Sequence, residues 1–465
     1  MQRRLKHLHF VGIGGIGMSA LAELLHARGF EVSGSDLTEG PTTERLRDLG
    51  IRISLGHDGD VLGTTDTVIR SSAIANDNVE LEAARSREIP IISRGTLLAE
   101  VMRTKDGIAI AGSHGKTTTS AMAAHLLEAA GLDPTALIGG RVPRPGGYAS
   151  PVKLGSGDLL VAEVDESDGS FLLAQPVLAT ITNIDPEHLD YYESREALLE
   201  AFVEFGNSVP FWGTTILGID HEGVLEIAPR LRSRQTSFGF TEAADVRAEN
   251  VEIIPGGQRC RVRIRGGESF SFDLLMPGRH NVLNALAAIA IALEQEVETA
   301  ILAEAFSTFP GVVRRFEHKG AARGIEVIDD YAHHPAEIIA TLAGARSIHA
   351  GRITALFQPH RYTRTRDLWA EFTHAFPDAD RVVITDIYAA SEEPISEIDG
   401  RRLAEAIGEA GHPAISYGGS LDDIERGWPD RFEQGELVLT LGAGDISALG
   451  PKLLAAIDAR AGGDS

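Results

Sequence analysis

Short apolar runs alternate with amphipathic helical patterns along most of this chain of 465 residues. Runs such as 107–111, 159–162 and 178–181 have the length of single strands, and many of the segments between such runs have the length and spacing of helices. This alternation is typical of parallel sheets built from βαβ units. We therefore predict an α/β fold.

The alternation restarts twice, which predicts three domains in series. Residues 1–104 are predicted to form a Rossmann-like domain, 105–311 a central P-loop domain, and 312–465 a second Rossmann-like domain. Residues 245–276 interrupt the central pattern with two glycine turns and are predicted to form a small antiparallel insert. The run 284–293 is apolar on every face and is predicted to be a buried helix.

Charge and composition argue against several kinds of partner. Acidic residues outnumber basic ones by 67 to 43, for a net charge of −24, which disfavours general attraction to nucleic acid or to an anionic membrane. The most apolar helical stretch, 285–293, is far shorter than the roughly 20 residues that span a bilayer. The single cysteine, Cys260, has no intramolecular disulfide partner. We expect a cytoplasmic protein without a nucleic-acid or membrane partner.

The first glycine-rich loop lies between a predicted strand and a predicted helix. Residues 12–17 match G-x-G-x-x-G, and Asp36 ends the second strand at the distance expected of a ribose-binding carboxylate. Backbone N–H groups at such a helix N-terminus face a pyrophosphate. NAD and UDP present the same pyrophosphate to this turn, so the motif leaves the nucleotide open. A tight turn whose glycines serve only packing is the alternative.

A second loop carries a stronger phosphate-binding pattern, formed by Gly112, Ser113, His114, Gly115, Lys116, Thr117 and Thr118. Lys116 is in the position that binds β- and γ-phosphates, and the Thr117 hydroxyl is in the position that ligates Mg²⁺. Ile110 stands where the full P-loop consensus has its first glycine. The loop predicts ATP binding, against the alternative of a glycine turn with an incidental lysine.

Acidic side chains follow the next predicted strand. Residues 163–168 contain four carboxylates at the strand end, where ligands of α/β sheets bind, and such hard oxygen ligands suit Mg²⁺. An isolated acidic run is more often a solvated loop, but its place one strand after the phosphate loop favours a metal site. His188 follows a further strand, although imidazole is an uncommon Mg²⁺ ligand.

Two polar stretches, 329–335 and 358–366, end predicted strands of the third domain. Arg361 and Arg364 can clamp a small carboxylate, while Tyr331 and His333 can border an amine. A basic, solvated helix start near Arg364 is the alternative interpretation.

Taken together, these motifs resemble those of the Mur ligases of bacterial cell-wall synthesis. The resemblance extends over nearly the whole chain, through residues 12–18, 33–36, 71–74, 112–119, 163–171, 183–190, 278–281 with Asn284, 314–317, 329–335, 357–365 and 386–390. It implies that the first domain binds UDP-N-acetylmuramate and not NAD. The chain departs from the usual pattern at 391–393, Ser-Glu-Glu, where a glycine is typical.

The resemblance also implies roles for single residues. The UDP-sugar contacts it implies are Gly14, Gly15, Ile16, Gly17, Met18, Asp36, His57, Ser71, Ser72 and Arg94. The ATP contacts it implies, beyond the phosphate loop, are Asn281, Asn284, Arg315 and Asp330. The metal ligands are Thr117, Glu163 and His188. The amino-acid contacts are Tyr331, His333, Arg361 and Arg364. The catalytic set is Lys116, Glu163, His188, His333 and Arg361.

The activity implied by the resemblance is amide formation driven by ATP and Mg²⁺. The lactyl carboxylate of UDP-N-acetylmuramate takes the γ-phosphate of ATP, and the amine of L-alanine displaces phosphate from the resulting acyl phosphate. A monomer or homodimer is expected. A related ligase that attaches a preformed tripeptide usually has Tyr where Ser167 stands and lacks the block 360–365, so free L-alanine is favoured.

Two further classes remain open on the sequence. A nicotinamide-dependent dehydrogenase accounts for residues 12–17 but leaves the second loop without a role. A nucleotide-driven switch accounts for residues 112–119 without any amide synthesis.

Overall fold

The computed structural model describes residues 5–144 and 146–459, without the side chains of Leu189 and Asp190. Within these ranges the strands are β1 (His7–Val11), β2 (Glu31–Asp36), β3 (Arg52–Leu55), β4 (Thr67–Arg70), β5 (Ile91–Ser93), β6 (Asp106–Ala111), β7 (Thr135–Arg144), β8 (Tyr148–Lys153), β9 (Leu159–Glu163), β10 (Leu178–Ile181), β11 (Thr214–Gly218), β12 (Arg234–Gly239), β13 (Val246–Ile254), β14 (Gly257–Ile264), β15 (Ser269–Leu274), β16 (Glu317–Ala322), β17 (Ile325–Asp330), β18 (Ile353–Phe357), β19 (Arg381–Thr385), β20 (Ile415–Gly419) and β21 (Leu437–Leu441).

The α-helices of the same ranges are α1 (Ile16–Ala27), α2 (Pro41–Asp48), α3 (Val79–Ser86), α4 (Arg94–Met102), α5 (Lys116–Ala129), α6 (Leu189–Tyr192), α7 (Arg195–Gly206), α8 (Glu222–Ile227), α9 (Arg279–Glu294), α10 (Thr299–Phe306), α11 (Pro335–Ile348), α12 (Tyr362–Asp367), α13 (Trp369–Phe372), α14 (Gly400–Glu409), α15 (Leu421–Gly427) and α16 (Leu449–Ala459). None of the helices described is both long and apolar enough to cross a membrane.

The first sheet has the strand order β3-β2-β1-β4-β5, and its strands pair in parallel. The central strand β1 is buried along its whole length, and α1 turns Met18, Leu21, Leu24 and Leu25 into the core, as the periodicity predicts. Because the strands are parallel, the segments after β1, β2, β3 and β4 lie at one edge of this sheet. The first glycine-rich loop is at that edge.

The second sheet has the order β15-β14-β13-β12-β11-β10-β6-β9-β7-β8. Strand β6 lies between β10 and β9 and pairs with both in parallel, so their carboxyl ends share one edge. The predicted insert, residues 245–276, contains β13, β14 and β15, and β13 joins this sheet by pairing in parallel with β12. The pairing involves the last two residues of β12, Phe238 and Gly239. The expected buried helix is α9, whose residues 285–292 have no exposure to solvent.

The third sheet has the order β16-β17-β21-β18-β19-β20. Only the edge pair of β16 with β17 is antiparallel, and the pairs from β17 to β20 are parallel. Two apolar clusters cover its faces, and Phe357, Phe372 and Phe376 pack together in one of them. The ends of β17, β18, β19 and β21 bring the polar stretches of this region to one edge.

The chain forms two compact units. The first contains residues 1–250, 260–272 and 283–310, and the second contains 251–259, 273–282 and 311–465. The three sheets confirm the predicted α/β class, with parallel pairing predominant in each. The boundaries of the three predicted domains stay a prediction.

Candidate active site

The second glycine-rich loop connects β6 to α5, as a phosphate loop requires. Gly115 has φ of 81° and sits at the N-terminus of α5, and a side chain there would collide with the carboxamide of Asn284. The amide nitrogen of His114 donates to Asn183 Oδ1 at 2.8 Å, and the Thr182 hydroxyl donates to the His114 carbonyl at 2.7 Å. The end of β10 therefore fixes the shape of the loop.

Lys116 is the first residue of α5, and its ammonium group is surrounded by oxygen atoms. Its Nζ donates to the Gly112 carbonyl, to the Ser113 carbonyl at 3.2 Å and to Glu166 Oε1 at 2.8 Å. Burial acts to lower the pKa of Lys116, but the carboxylates of Glu166 and Glu163 outweigh it and raise this pKa. Lys116 is therefore a fixed positive charge inside the loop.

Glu166 is buried, with only 2% of its surface exposed. Burial raises its pKa to about 7, although the neighbouring Lys116 acts in the opposite direction. Its second carboxyl oxygen, Oε2, is buried and has no hydrogen-bond partner among the described residues. Glu166 belongs to the predicted acidic run, in which it had no role of its own. Its ion pair with Lys116 gives it the role of holding the lysine in place.

The proposed metal ligands lie around the same strand ends. The Thr117 hydroxyl donates to Glu163 Oε2 at 2.9 Å, and this oxygen also accepts from the Gly139 amide at 2.9 Å. His188 Nε2 is 3.8 Å from Glu166 Oε1, and its backbone has φ of 57°. The Thr117 hydroxyl and the Glu163 carboxylate are oxygen donors of the kind that Mg²⁺ prefers, so these two residues fit that ion, whereas the imidazole of His188 is an uncommon ligand for it.

The other members of the phosphate-loop set are held by structural contacts. Ser113 Oγ accepts from the Asp185 amide at 2.8 Å, and His114 Nε2 is 3.0 Å from Glu187 Oε1. The Thr119 hydroxyl donates to Asn284 Oδ1 at 3.3 Å, so Asn284 lies against the loop and α5. Its proposed role toward adenine stays a prediction.

The first glycine-rich loop joins β1 to α1. Asp36, at the end of β2, accepts from the Gly14 amide through Oδ2 at 2.8 Å, so this carboxylate holds the loop in place. Ser71 and Ser72 follow β4 at the same sheet edge, and Ser71 Oγ accepts from the Ala73 amide at 3.3 Å. The predicted UDP-sugar residues of the first sheet are therefore near neighbours at one edge.

Arg94 connects this loop to the acidic segment of the central sheet within the same compact unit. A Cβ atom on Gly17 would lie 3.1 Å from Arg94 Cδ, so the arginine side chain covers the start of α1. Its Nη2 donates to Asp165 Oδ2 at 3.2 Å, and Asp165 directly precedes Glu166. Arg94 therefore joins the first glycine-rich loop to the acidic segment whose Glu166 pairs with Lys116.

In the second unit, Tyr331 and His333 follow β17. The guanidinium carbons of Arg314 and Arg315 lie 5.0 and 5.1 Å from the centre of the Tyr331 ring. His333 Nδ1 lies 3.0 Å from the Tyr331 carbonyl, and burial together with the nearby Arg364 charge lowers the pKa of His333 to about 4. His333 is therefore neutral at pH 7.

Arg361 and Arg364 follow β18. Arg361 adopts φ of 72°, a strained value for a residue with a side chain, and its amide donates to the Tyr388 carbonyl at 2.8 Å. Arg364 Nη1 donates to His360 Nδ1 at 3.3 Å, and the His360 ring stacks on Tyr388 with centroids 5.4 Å apart. Arg361 is exposed, as a residue that meets a soluble substrate must be.

Three predicted ATP residues of this unit are also located. Asp330 is buried at the end of β17 and accepts from the amides of Phe316, at 2.7 Å, and Ala332, at 2.8 Å; burial raises its pKa to about 6. Arg315 Nη1 is 3.9 Å from Glu337 Oε1. Asn281 donates through Nδ2 to the Pro277 carbonyl at 2.8 Å. Their roles toward ATP stay predictions.

Glu392, like Glu166, has a role at the site that was not predicted from the sequence. Glu392 accepts from the Thr363 amide at 3.0 Å and from the Thr363 hydroxyl at 2.6 Å, and so anchors the start of the short helix that carries Arg364. The signal was the departure from the usual pattern at 391–393, where this chain has an acidic residue that can cap a helix start.

An α/β chain with a fixed lysine in a phosphate loop and acidic ligands on the next strands has the architecture of a nucleotide-dependent enzyme. The sequence matches the Mur ligase family catalytic domain over residues 7–106, the Mur ligase middle domain over 110–292, and the Mur ligase glutamate ligase domain over 314–444. The chain belongs to the Mur ligase family.

Individual relatives agree with this assignment. The chain is 51% identical over 455 residues to UDP-N-acetylmuramate–L-alanine ligase of Anaeromyxobacter dehalogenans, covering 98% of both chains. It is 49% identical to the Solibacter usitatus protein of the same name, over 97% of this chain and 95% of that one.

Among solved structures, a UDP-N-acetylmuramate-alanine ligase from Thermotoga maritima superimposes with a TM-score of 0.83 at 30% identity, over 98% of this chain and all of that one. A murein peptide ligase from Psychrobacter arcticus superimposes with a TM-score of 0.73 at 26% identity, over 97% of this chain and 99% of that one.

Proposed function

We propose that this chain joins L-alanine to the lactyl carboxylate of UDP-N-acetylmuramate, with conversion of ATP to ADP and phosphate. The observation that carries the proposal is the phosphate loop in which Lys116 Nζ is held 2.8 Å from Glu166, beside Thr117 and Glu163. The substrates follow from the names of relatives that are about half identical over almost the whole chain.

The chemistry begins with a carboxylate, which is a poor electrophile at neutral pH. Transfer of the γ-phosphate of ATP to one carboxylate oxygen forms an acyl phosphate and releases ADP. The alanine nitrogen then attacks the carbonyl carbon, loses a proton, and displaces inorganic phosphate. Lys116 offsets the negative charge of the transferring oxygens, and the loop amides orient them.

Mg²⁺ is proposed to bind Thr117, Glu163 and His188, where it would neutralise phosphate charge. These residues follow neighbouring strand ends of one sheet. Glu166 keeps Lys116 in place because the buried ion pair restrains an otherwise flexible side chain. Glu163 is in turn held by the Gly139 amide.

The amino acid is proposed to lie against Tyr331, His333, Arg361 and Arg364. The guanidinium groups suit the α-carboxylate of alanine, which needs paired N–H donors. Because His333 is neutral at pH 7, it does not repel an ammonium group and can accept a hydrogen bond from it. UDP-N-acetylmuramate is proposed to bind the edge of the first sheet.

The test measures ADP release with each substrate omitted in turn. Release that requires both UDP-N-acetylmuramate and L-alanine supports the proposal, and glycine, L-serine and a preformed tripeptide are the competing amines. A higher kcat/KM with the tripeptide than with alanine would identify the recycling ligase. Release that depends on neither substrate would identify a nucleotide switch, and oxidation of NAD(P)H would identify a dehydrogenase.

The setting of the reaction is also a proposal. ATP and nucleotide-activated sugars are substrates of the cytoplasm, so we place the enzyme there, as a monomer or homodimer. Cell fractionation tests the first statement. Sedimentation velocity with and without substrates tests the second.

A further inference from the structure

A chain of polar side chains crosses the interior of the first sheet. His7 and His9 come from β1, Ser33 and Ser35 from β2, Glu80 from α3, and His57 from the turn after β3. We call these six residues the Glu80 cluster. No step of the reaction proposed above uses Glu80, His9, His7 or the two serines.

Glu80 is the centre of the cluster and has no exposure to solvent. Its Oε2 lies 2.9 Å from His9 Nε2 and accepts from the Ser35 hydroxyl at 2.9 Å. Its Oε1 lies 3.0 Å from His57 Nδ1 and accepts from the Asp58 amide at 3.3 Å. The four positions at which a carboxylate accepts hydrogen bonds are thus all in use.

The ionised form of Glu80 is the stable one in this setting. Burial acts to raise the pKa of Glu80, but the hydrogen bonds from His9 and Ser35 outweigh it and hold the pKa below its usual value. An ionised carboxylate only accepts hydrogen bonds, so the hydrogen atoms belong to its partners. His57 therefore carries its proton on Nδ1.

Ser35 on β2 restricts the His57 ring further. Ser35 Oγ is 3.1 Å from His57 Nδ1, and because its own hydrogen points to Glu80, its oxygen accepts from the same N–H group. In the neutral ring the opposite nitrogen, Nε2, then has a free electron pair and no hydrogen. The cluster thus determines which hydrogen-bonding role His57 can offer to a ligand.

His57 lies at the edge of the sheet where the sugar nucleotide is proposed to bind. The preceding residue, Gly56, donates its amide to the Asp36 carbonyl at 2.8 Å, and the Asp36 side chain holds the glycine-rich loop through the Gly14 amide. The His57 side chain is 13% exposed, whereas that of Glu80 is fully buried. Glu80 therefore does not touch a ligand itself, whereas the partly exposed His57 ring can.

We propose that Glu80 is a positioning residue that fixes the tautomer of His57, so that Nε2 accepts a hydrogen bond from a hydroxyl or N–H group of the sugar nucleotide. A pyrophosphate oxygen carries no hydrogen at neutral pH, so it is not the partner of this nitrogen. The inference rests on the proposed function, because it takes UDP-N-acetylmuramate to be the ligand of this edge.

The main test is Glu80→Gln, which keeps the size of the side chain but replaces one acceptor oxygen with a donor. Loss of one net hydrogen bond corresponds to a rise of roughly 3- to 10-fold in the KM for UDP-N-acetylmuramate. The kcat and the KM values for ATP and alanine should stay unchanged. A uniform fall in kcat with an unchanged KM for the sugar nucleotide would overturn the proposal.

The matched control is Ser33→Ala. Ser33 Oγ is 2.7 Å from His7 Nε2 and 2.8 Å from His9 Nδ1, so this change cuts the same buried chain on the far side of Glu80. It should lower the melting temperature without altering the KM for the sugar nucleotide. If both variants change that KM equally, the cluster acts only through stability and the positioning role is wrong.

A direct measurement keeps the inference testable even where Glu80→Gln does not fold. Long-range ¹H–¹⁵N spectra of the histidine-labelled wild-type protein report the tautomer of each ring, and a His57→Asn sample assigns the signal. A proton on Nδ1 is expected, and a proton on Nε2 alone would refute the proposal. Failure of the wild-type protein to bind UDP-N-acetylmuramate would instead refute the proposed function, since the tautomer is read without ligand.

Discussion

Replacing Lys116 by methionine separates the chemical role of this residue from its structural role. The side chain of Lys116 is 14% exposed and that of Glu166 is 3% exposed, so their ion pair is shielded from water. Removing one partner of such a pair costs roughly 3–5 kcal/mol where the remaining group stays charged, because that charge is left buried without compensation. The pKa of Glu166 is raised to about 7, so its carboxylate is fully ionised only above neutral pH. We expect Lys116→Met to lower the free energy of unfolding by up to that amount at alkaline pH and to abolish ADP release.

The double variant Lys116→Met, Glu166→Gln removes both charges. It should recover most of the lost free energy of unfolding, because no buried charge remains, but it should stay inactive. Lys452→Met is the matched control, since Lys452 pairs at 3.1 Å with Glu425 and their side chains are 51% and 34% exposed. An exposed pair of this kind contributes about 1 kcal/mol or less, so the control should keep its activity.

The assays are ADP release with all substrates present, calorimetric binding of UDP-N-acetylmuramate, and urea denaturation of each variant. Binding of the sugar nucleotide should persist in Lys116→Met, because its proposed contacts lie at the first sheet. Turnover at the wild-type rate in Lys116→Met would refute the phosphate-loop assignment. A double variant no more stable than the single one would refute the argument from buried charge.

Three other changes give measurable outcomes. Arg361→Ala should raise the KM for alanine roughly 10- to 100-fold, as expected for a lost charged hydrogen bond, while the KM for ATP stays nearly constant; equal changes in both would exclude a carboxylate clamp. Gly115→Ala should abolish ATP binding, measured with a fluorescent nucleotide, because its Cβ would collide with Asn284 and φ there is 81°. Because the pKa of Glu166 is raised to about 7, the folded state keeps the proton on its carboxyl group to higher pH than the unfolded state does. The free energy of unfolding should therefore fall by about 3 kcal/mol as the pH rises toward 7. Glu166→Gln should lack this pH dependence. The pKa of Glu80 is lowered, so the pH dependence has the opposite sign: the contribution of Glu80 to the free energy of unfolding should be lost as the pH falls into the acid range. Urea denaturation across a range of pH tests the predictions for both carboxylates.

The sequence predicted the elements whose patterns are local. Apolar runs predicted β1, β6, β10 and β18 because a buried parallel strand needs apolar side chains on both faces. The glycine-rich loops could be placed because a phosphate-binding turn requires glycines at fixed spacing between a strand and a helix. Lys116 is the first residue of the helix after the second loop, which is the position that the motif predicts.

Features that depend on distant parts of the chain could not be found in this way. Glu80 is 71 residues from His9 along the sequence, and no local pattern marks an acidic residue near a helix start as buried. The hydrogen bond from Thr119 to Asn284 spans 165 positions of the sequence, so no local pattern predicts that Asn284 packs against the second loop. The turns within 245–276 predicted an antiparallel insert, but no local signal predicted the pairing of β13 with β12 that joins the insert to the central sheet.

Glu80 and Glu166 show why burial alone does not define the behaviour of an acidic residue. Both carboxylates are almost completely inaccessible, yet the pKa of Glu80 is lowered and that of Glu166 is raised. The difference follows from the number of donors: Glu80 has donors on both oxygens, whereas Oε2 of Glu166 has none among the described residues. A carboxylate with all its acceptor positions filled can only be a fixed charge, which suits the orientation of a neighbouring ring. A carboxylate with one oxygen unsatisfied can change its protonation near neutral pH, which suits a position beside a lysine that must exchange partners with a phosphate.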